Sequence, residues 1–136
     1  MKRKIKNLIK RIHCRLKYKV SYIESYNADI AISRKALLAL YVFKKLEKNG
    51  HPIDLESIEE WNEIINKILF SFAYTLKDEK LNKTERKIVK EYEIKEEIGV
   101  NENGEIIVIY ENYDDNIKKY NEGMKLFVKY YNDLWD

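Results

Sequence analysis

Two histidines, His13 and His51, and one cysteine, Cys14, limit the chemistry of this chain from the outset. The two histidines lack metal-ligand spacing, and a single thiol can build neither a Cys-based zinc site nor an internal disulfide. No H-E-x-x-H segment or phosphate-cradling glycine loop occurs. His51 stands between Gly50 and Pro52, a turn setting that leaves its ring in solvent. The bases around Cys14 favour its thiolate, and His13 is adjacent, but no third group orients the pair, so Cys14 reads as an ordinary thiol. Among the carboxylates, Glu59, Glu60 and Glu63, and Glu96 with Glu97, read as solvated faces, while Asp114 and Asp115 read as a helix start. No catalytic residue, metal ligand or cofactor is assigned.

Binding chemistry is better represented. Residues 1–20 carry nine bases (Lys2, Arg3, Lys4, Lys6, Lys10, Arg11, Arg15, Lys17 and Lys19) and no acid. Of the 26 bases and 23 acids in the chain, this leaves 17 bases against 23 acids, a net charge of −6, for the remainder. A cationic arm thus precedes an acidic body. Arg34 and Lys35 interrupt an otherwise apolar stretch, and Arg34 falls near its inward stripe. A charge so placed needs either an internal carboxylate, such as Asp29 or Glu60, or an anionic ligand. Aromatic residues can add stacking surface to such a site. Arg34, Lys35, Tyr26 and Trp61 are therefore the candidate ligand contacts.

These residues need helices to position them. One Pro and four Gly in 136 residues favour long helices over a many-stranded sandwich. In the arm, Ile5, Leu8, Ile9, Ile12 and Leu16 form one apolar stripe, which predicts an amphipathic helix over residues 1–20 that either docks its stripe on the body or meets a phosphate, an anionic membrane surface or an acidic partner. Ser21 and Glu24 have capping-box spacing and predict a second helix to about Asn49, with Ile23, Tyr26, Ile30, Leu37, Tyr41 and Leu46 inward and Gly50–Pro52 as its stop. Asp54 or Ser57 caps a third helix whose face is Ile58, Trp61, Ile65, Ile68, Leu69, Phe72 and Leu76. Residues 77–83 read as a loop, and Thr84 can open a further helix.

Apolar residues alternating with charges from Tyr92 to Val100, and the β-forming run Ile106–Tyr110 beyond the Asn101–Gly104 stretch, predict a β-hairpin at about residues 91–113, which must pack on helices or pair with another chain. Asp114 or Asp115 caps a last helix with an inward seam of Ile117, Tyr120, Met124, Phe127, Tyr131 and Leu134. Gly123 within it costs about 1 kcal/mol against Ala unless a neighbouring backbone needs the space. The expected fold is mainly α: a helical bundle of three to four long helices with a small hairpin. Residues 21–136 then form one helical domain. The longest apolar run, residues 36–43, is too short for a membrane span. No secretory signal is legible, and a cytoplasmic location is expected.

The order Tyr26-Asn27-Ala28-Asp29, Gly50-His51-Pro52, Trp61, Phe72 and Glu122-Gly123-Met124-Lys125-Leu126-Phe127-Val128-Lys129-Tyr130-Tyr131, ending in Leu134-Trp135, resembles a family of small bacteriophage-encoded helical proteins. The likeness spans most of residues 16–136. The family pattern often has Trp in place of Tyr26 and Pro near Lys35, and both are absent here. The resemblance implies a phage accessory protein in the host bacterial cytoplasm and assigns no catalytic residue. With the cations and aromatics above, it leads to the expectation of a non-enzymatic counter-defence protein that sequesters a small anionic, nucleotide-like host ligand. The alternatives are a protein–protein interaction module or minor virion component, acting as a homo-oligomer or on a host protein, and nucleic-acid binding through the basic arm. Nucleic acid ranks below these, and a membrane surface last.

Overall fold

A computed structural model describes residues 1–19, 21, 27–94, 96–110 and 113–135. In chain order these form α1 (Lys2–Tyr18), α2 (Ala28–Lys45), α3 (Ile58–Leu76), α4 (Lys83–Lys90), β1 (Glu96–Val100), β2 (Ile106–Tyr110) and α5 (Tyr113–Tyr130), which ends in a 3₁₀ turn at Tyr131–Asp133. The fold is mainly α. α3 lies between α2 and α5, and α4 closes one end by touching α2 and α3.

The third helix starts where its sequence predicts. Ser57 caps it, its hydroxyl accepting the Glu60 N–H at 3.1 Å. The Glu60 carboxylate takes the Glu56 N–H at 2.9 Å, so the capping-box spacing gives two separate bonds and not the reciprocal pair. Asp54, the other candidate cap, is used elsewhere: it accepts the Tyr130 hydroxyl at 2.8 Å. Along α3, Trp61, Ile65, Ile68, Leu69, Phe72, Ala73 and Leu76 are all buried and form the centre of the core.

α2 is shorter than its sequence suggests. Its predicted start at Ser21, with Ile23 and Tyr26, falls partly outside the described residues. At the other end it stops at Lys45, where Leu46 turns to extended backbone, four residues before Asn49. Lys48 supplies the reason. Its buried ammonium donates to the carbonyls of Lys44 at 3.0 Å and Leu46 at 3.2 Å, and to Asn62 Oδ1 at 2.8 Å. Two of these acceptors are carbonyls at the helix end, where intrahelical donors run out. Leu46 is consequently exposed and not part of the core.

α4 begins one residue before Thr84 and is capped by Asn82, in a complete capping box with Glu85 at 2.8 and 3.0 Å. At the start of α5, Asp114 and Asp115 lie inside the first turn, where their charge complements the helix dipole and does not cap it. Of the predicted α5 seam, Tyr120, Phe127 and Leu134 keep their place, whereas the alternate positions are offset by one along the whole helix: Asn116, Gly123 and Tyr130 are buried, Ile117 and Met124 half-buried and Tyr131 exposed.

The hairpin forms with Glu96 opposite Tyr110, Ile98 opposite Val108 and Val100 opposite Ile106. Its turn is held by the Gly104 N–H on the Asn101 carbonyl at 3.0 Å, with Asn101 Oδ1 accepting from Asn103 and Glu105. Gly104 has φ of 78°, a conformation that favours glycine. Neither strand packs against a helix beyond marginal contact among the described residues.

Gly123 marks where α5 meets α3 most closely. A Cβ there would overlap Ser71 Oγ and the Lys67 carbonyl. Ser71 is itself fully buried and donates to the Tyr120 carbonyl at 2.7 Å. On an open helix face, Gly123→Ala would stabilise by about 1 kcal/mol. At this crossing the overlap wins, and the substitution is expected to destabilise by about 1–3 kcal/mol. A drop of several degrees in the thermal midpoint checks this, and a rise would show that the two helices do not approach so closely.

Candidate functional site

Arg34 has an internal partner, and it is neither Asp29 nor Glu60. Its Nε and Nη2 donate to Glu85 Oε2 and Oε1 at 2.6 and 2.7 Å, a two-point pair across α2 and α4. The Glu85 side chain is 1% exposed, and its Oε1 also takes the Asn82 N–H. The Arg34 guanidinium, and secondarily the Asn82 N–H, hold the Glu85 carboxyl below its ordinary value against the opposing effect of burial. An anion bound at Arg34 would have to compete with a carboxylate already held at two points.

Among the described residues, neither Trp61 nor Lys35 pairs with Arg34. Trp61 is buried in the core, edge-on to Phe43 and Tyr130 at ring-centre distances of 6.2 and 5.4 Å. Lys35 is exposed on the outer face of α2. Tyr26 lies outside the described residues. Trp61 also lines a cleft of about 440 Å³ with Asn49, His51, Pro52, Asp133 and Trp135. A second groove of about 590 Å³ runs over α4; its charged lining is Lys77, Arg86 and Lys90 with Glu79 and Glu93, and no aromatic residue lines it. Neither gathers cations around an aromatic floor.

The remaining chemistry is quiet. His51 is exposed, with Nδ1 2.9 Å from the Pro52 carbonyl, as its turn setting predicts. Cys14 is a free, half-buried thiol. Among the described residues no group of three His, Cys, Asp or Glu side chains is placed to hold a metal ion. Asp54 lies between Tyr130 and Lys129, and the Tyr130 hydroxyl, first, and Lys129 keep its carboxyl below the usual range. This cluster ties the start of α3 to the end of α5.

α1 is different in kind. Docking of its stripe on the body is not seen: none of its residues is buried, and Ile5, Leu8, Ile9, Ile12 and Leu16 are 52–67% exposed. Its first turn holds no acid, and Lys19, in the left-handed conformation with φ of 62°, ends it. At about 100° per residue, the five aliphatic residues cover an arc of roughly 100°. Lys4, Arg11 and Arg15 follow one margin of that arc, and Lys2, Lys6 and Lys17 the other. The outer face of α2 adds exposed Ile32 and Val42 beside Lys35. The candidate site is therefore a surface, the cation-bordered aliphatic strip of α1.

The Glu85 pair makes stability depend on pH in a stated direction. A carboxyl whose folded value lies below its unfolded one, near 4.5, contributes stability above that pH. The contribution is lost as pH falls through the folded value. Glu85→Gln keeps the capping acceptor and removes the charge. Wild type is expected to melt above Glu85→Gln near neutral pH, with the gap closing in acid. A gap that stays constant on acidification would assign the loss to packing and not to the ion pair.

Comparison of the chain with protein-family models, with curated proteins and with solved structures finds no match.

Proposed function

We propose that this chain is a non-enzymatic binding protein that attaches through α1 to an anionic surface, of which a lipid bilayer with acidic headgroups fits best. One observation carries the reading: a helix with five aliphatic side chains in water and cations on both margins. Laid on a bilayer, the aliphatic arc enters the acyl boundary, and the flanking Lys and Arg reach back to the phosphates along their own methylene stems. Each cation near such a surface contributes about 1 kcal/mol, and a fully buried Ile or Leu about 1.5–3 kcal/mol. The two contributions are of similar size, so neither charge nor apolar area suffices alone.

The competing readings use less of the helix. Nucleic acid would engage the bases and leave the five aliphatic residues in water. A deep protein groove would have to bury the cations on both margins, each needing its own carboxylate. Sequestration of a nucleotide-like ligand loses support because Arg34 is held by Glu85 and Trp61 is part of the core. Among the described residues no helix is long and apolar enough to cross a membrane, which is consistent with attachment and not insertion. On the resemblance to phage-encoded proteins, the surface would be the inner leaflet of a bacterial host membrane.

Co-sedimentation tests this with vesicles of phosphatidylcholine alone or mixed with phosphatidylglycerol. Binding is expected to the mixed vesicles only, and to fall as salt rises. Ile12→Asp, at the centre of the arc and exposed in the free chain, is expected to lower affinity at least about tenfold without moving the thermal midpoint. Equal binding to both vesicle types, or unchanged binding by Ile12→Asp, would contradict the proposal.

A further inference from the structure

Both tryptophans of the chain line the same cleft, that of about 440 Å³, a size ordinary for small-molecule sites. The loop of residues 49–53 lines one part of it, and Asp133 and Trp135 another. Trp61 belongs to the core and offers little area, whereas Trp135 is 76% exposed, a large apolar ring left in water. The lining is held from behind. The Pro52 carbonyl accepts the Leu55 N–H at 3.0 Å and lies 2.9 Å from His51 Nδ1. Leu134, between Asp133 and Trp135, packs against the core, and the Trp135 N–H donates to the Asp133 carbonyl at 2.9 Å.

The polar groups of the cleft are of one kind. Among its described residues no Lys or Arg lines it, and Asp133 is its one carboxylate. Among the described residues Asp133 has no ion-pair partner. The cations nearest in sequence are engaged elsewhere, Lys48 by the carbonyls of Lys44 and Leu46 and by Asn62, and Lys129 by Asp54 at 3.3 Å. A carbonyl only accepts, so His51 Nδ1 carries the proton in its contact with Pro52, and the neutral ring keeps Nε2 as a further acceptor.

We infer that this cleft binds a small organic cation with a planar head and N–H donors, an alkylguanidinium. Two N–H groups of such a head pair with the Asp133 carboxylate, its flat face lies on Trp135, and its alkyl stem meets Pro52 and Ile53. Other ligand classes fit less well. A nucleotide or other anion brings like charge to Asp133. A quaternary ammonium has no N–H for the carboxylate, and a neutral ligand would cover Asp133 without pairing it.

Tryptophan fluorescence tests this on the full chain, since both tryptophans report on the cleft. Titration with N-butylguanidinium at constant ionic strength is expected to give a saturable change in emission. N-butylurea, of the same shape without the charge, and tetramethylammonium, with the charge but no N–H, are each expected to bind at least about tenfold more weakly. Asp133 is exposed, so Asp133→Asn is expected to keep the thermal midpoint and to lower affinity for N-butylguanidinium at least about tenfold. No saturable response to N-butylguanidinium, equal affinity for N-butylurea, or unchanged affinity in Asp133→Asn would overturn the inference. The cleft shares no residue with α1, so vesicle binding and cation binding are decided separately.

Discussion

A helix packed between two neighbours must present apolar or small residues to both, and that constraint organises this molecule. α3 meets it with Trp61, Ile65, Ile68, Leu69, Phe72, Ala73 and Leu76, all buried. One side takes α2 through Leu37 and Leu40, and the other takes α5 through Phe127 and Tyr130. The approach of α5 depends on small residues: Gly123 lies over Ser71, and any larger group at 123 would push the two backbones apart. Phe72 and Phe127 then meet edge to face at 5.1 Å.

Polar links at the periphery fix where the helices end and how they are oriented. The Lys48 ammonium closes the end of α2 and reaches Asn62 on α3. The Arg34–Glu85 pair sets α4 against α2, and Glu85 at the same time caps its own helix. Tyr130 and Asp54 join the close of α5 to the segment before α3. Each of these groups serves architecture, and Arg34, one of the candidate ligand contacts, is thereby occupied.

The α3 face was readable because its periodicity is local, and so were Ser57 as its cap and the Asn101–Gly104 turn. The early end of α2 was not, because Gly50–Pro52 is a strong stop signal while Lys48 acts through space. Nor was the partner of Arg34. Asp29 lies on the same helix and Glu60 at the start of the next, whereas Glu85 is 51 residues away and its pairing depends on where α4 docks. Asn82 could have been found, since Asn-x-x-Glu satisfies the capping-box pattern as well as Ser-x-x-Glu does. For α1 the sequence specifies a stripe but not what covers it. A stripe that packs in the same chain and one that waits for a partner have the same spacing.

That difference decides what the protein does, and backbone amide exchange measures it directly. An unpartnered helix of 17 residues is marginal in water, whereas α3 opens only with the whole bundle. In the free chain, α1 amides should therefore exchange orders of magnitude faster than those of α3, and should gain protection when vesicles containing phosphatidylglycerol are added. Protection of α1 equal to that of α3 in the free chain would mean that the aliphatic stripe is already buried, and would contradict its role as the attachment surface.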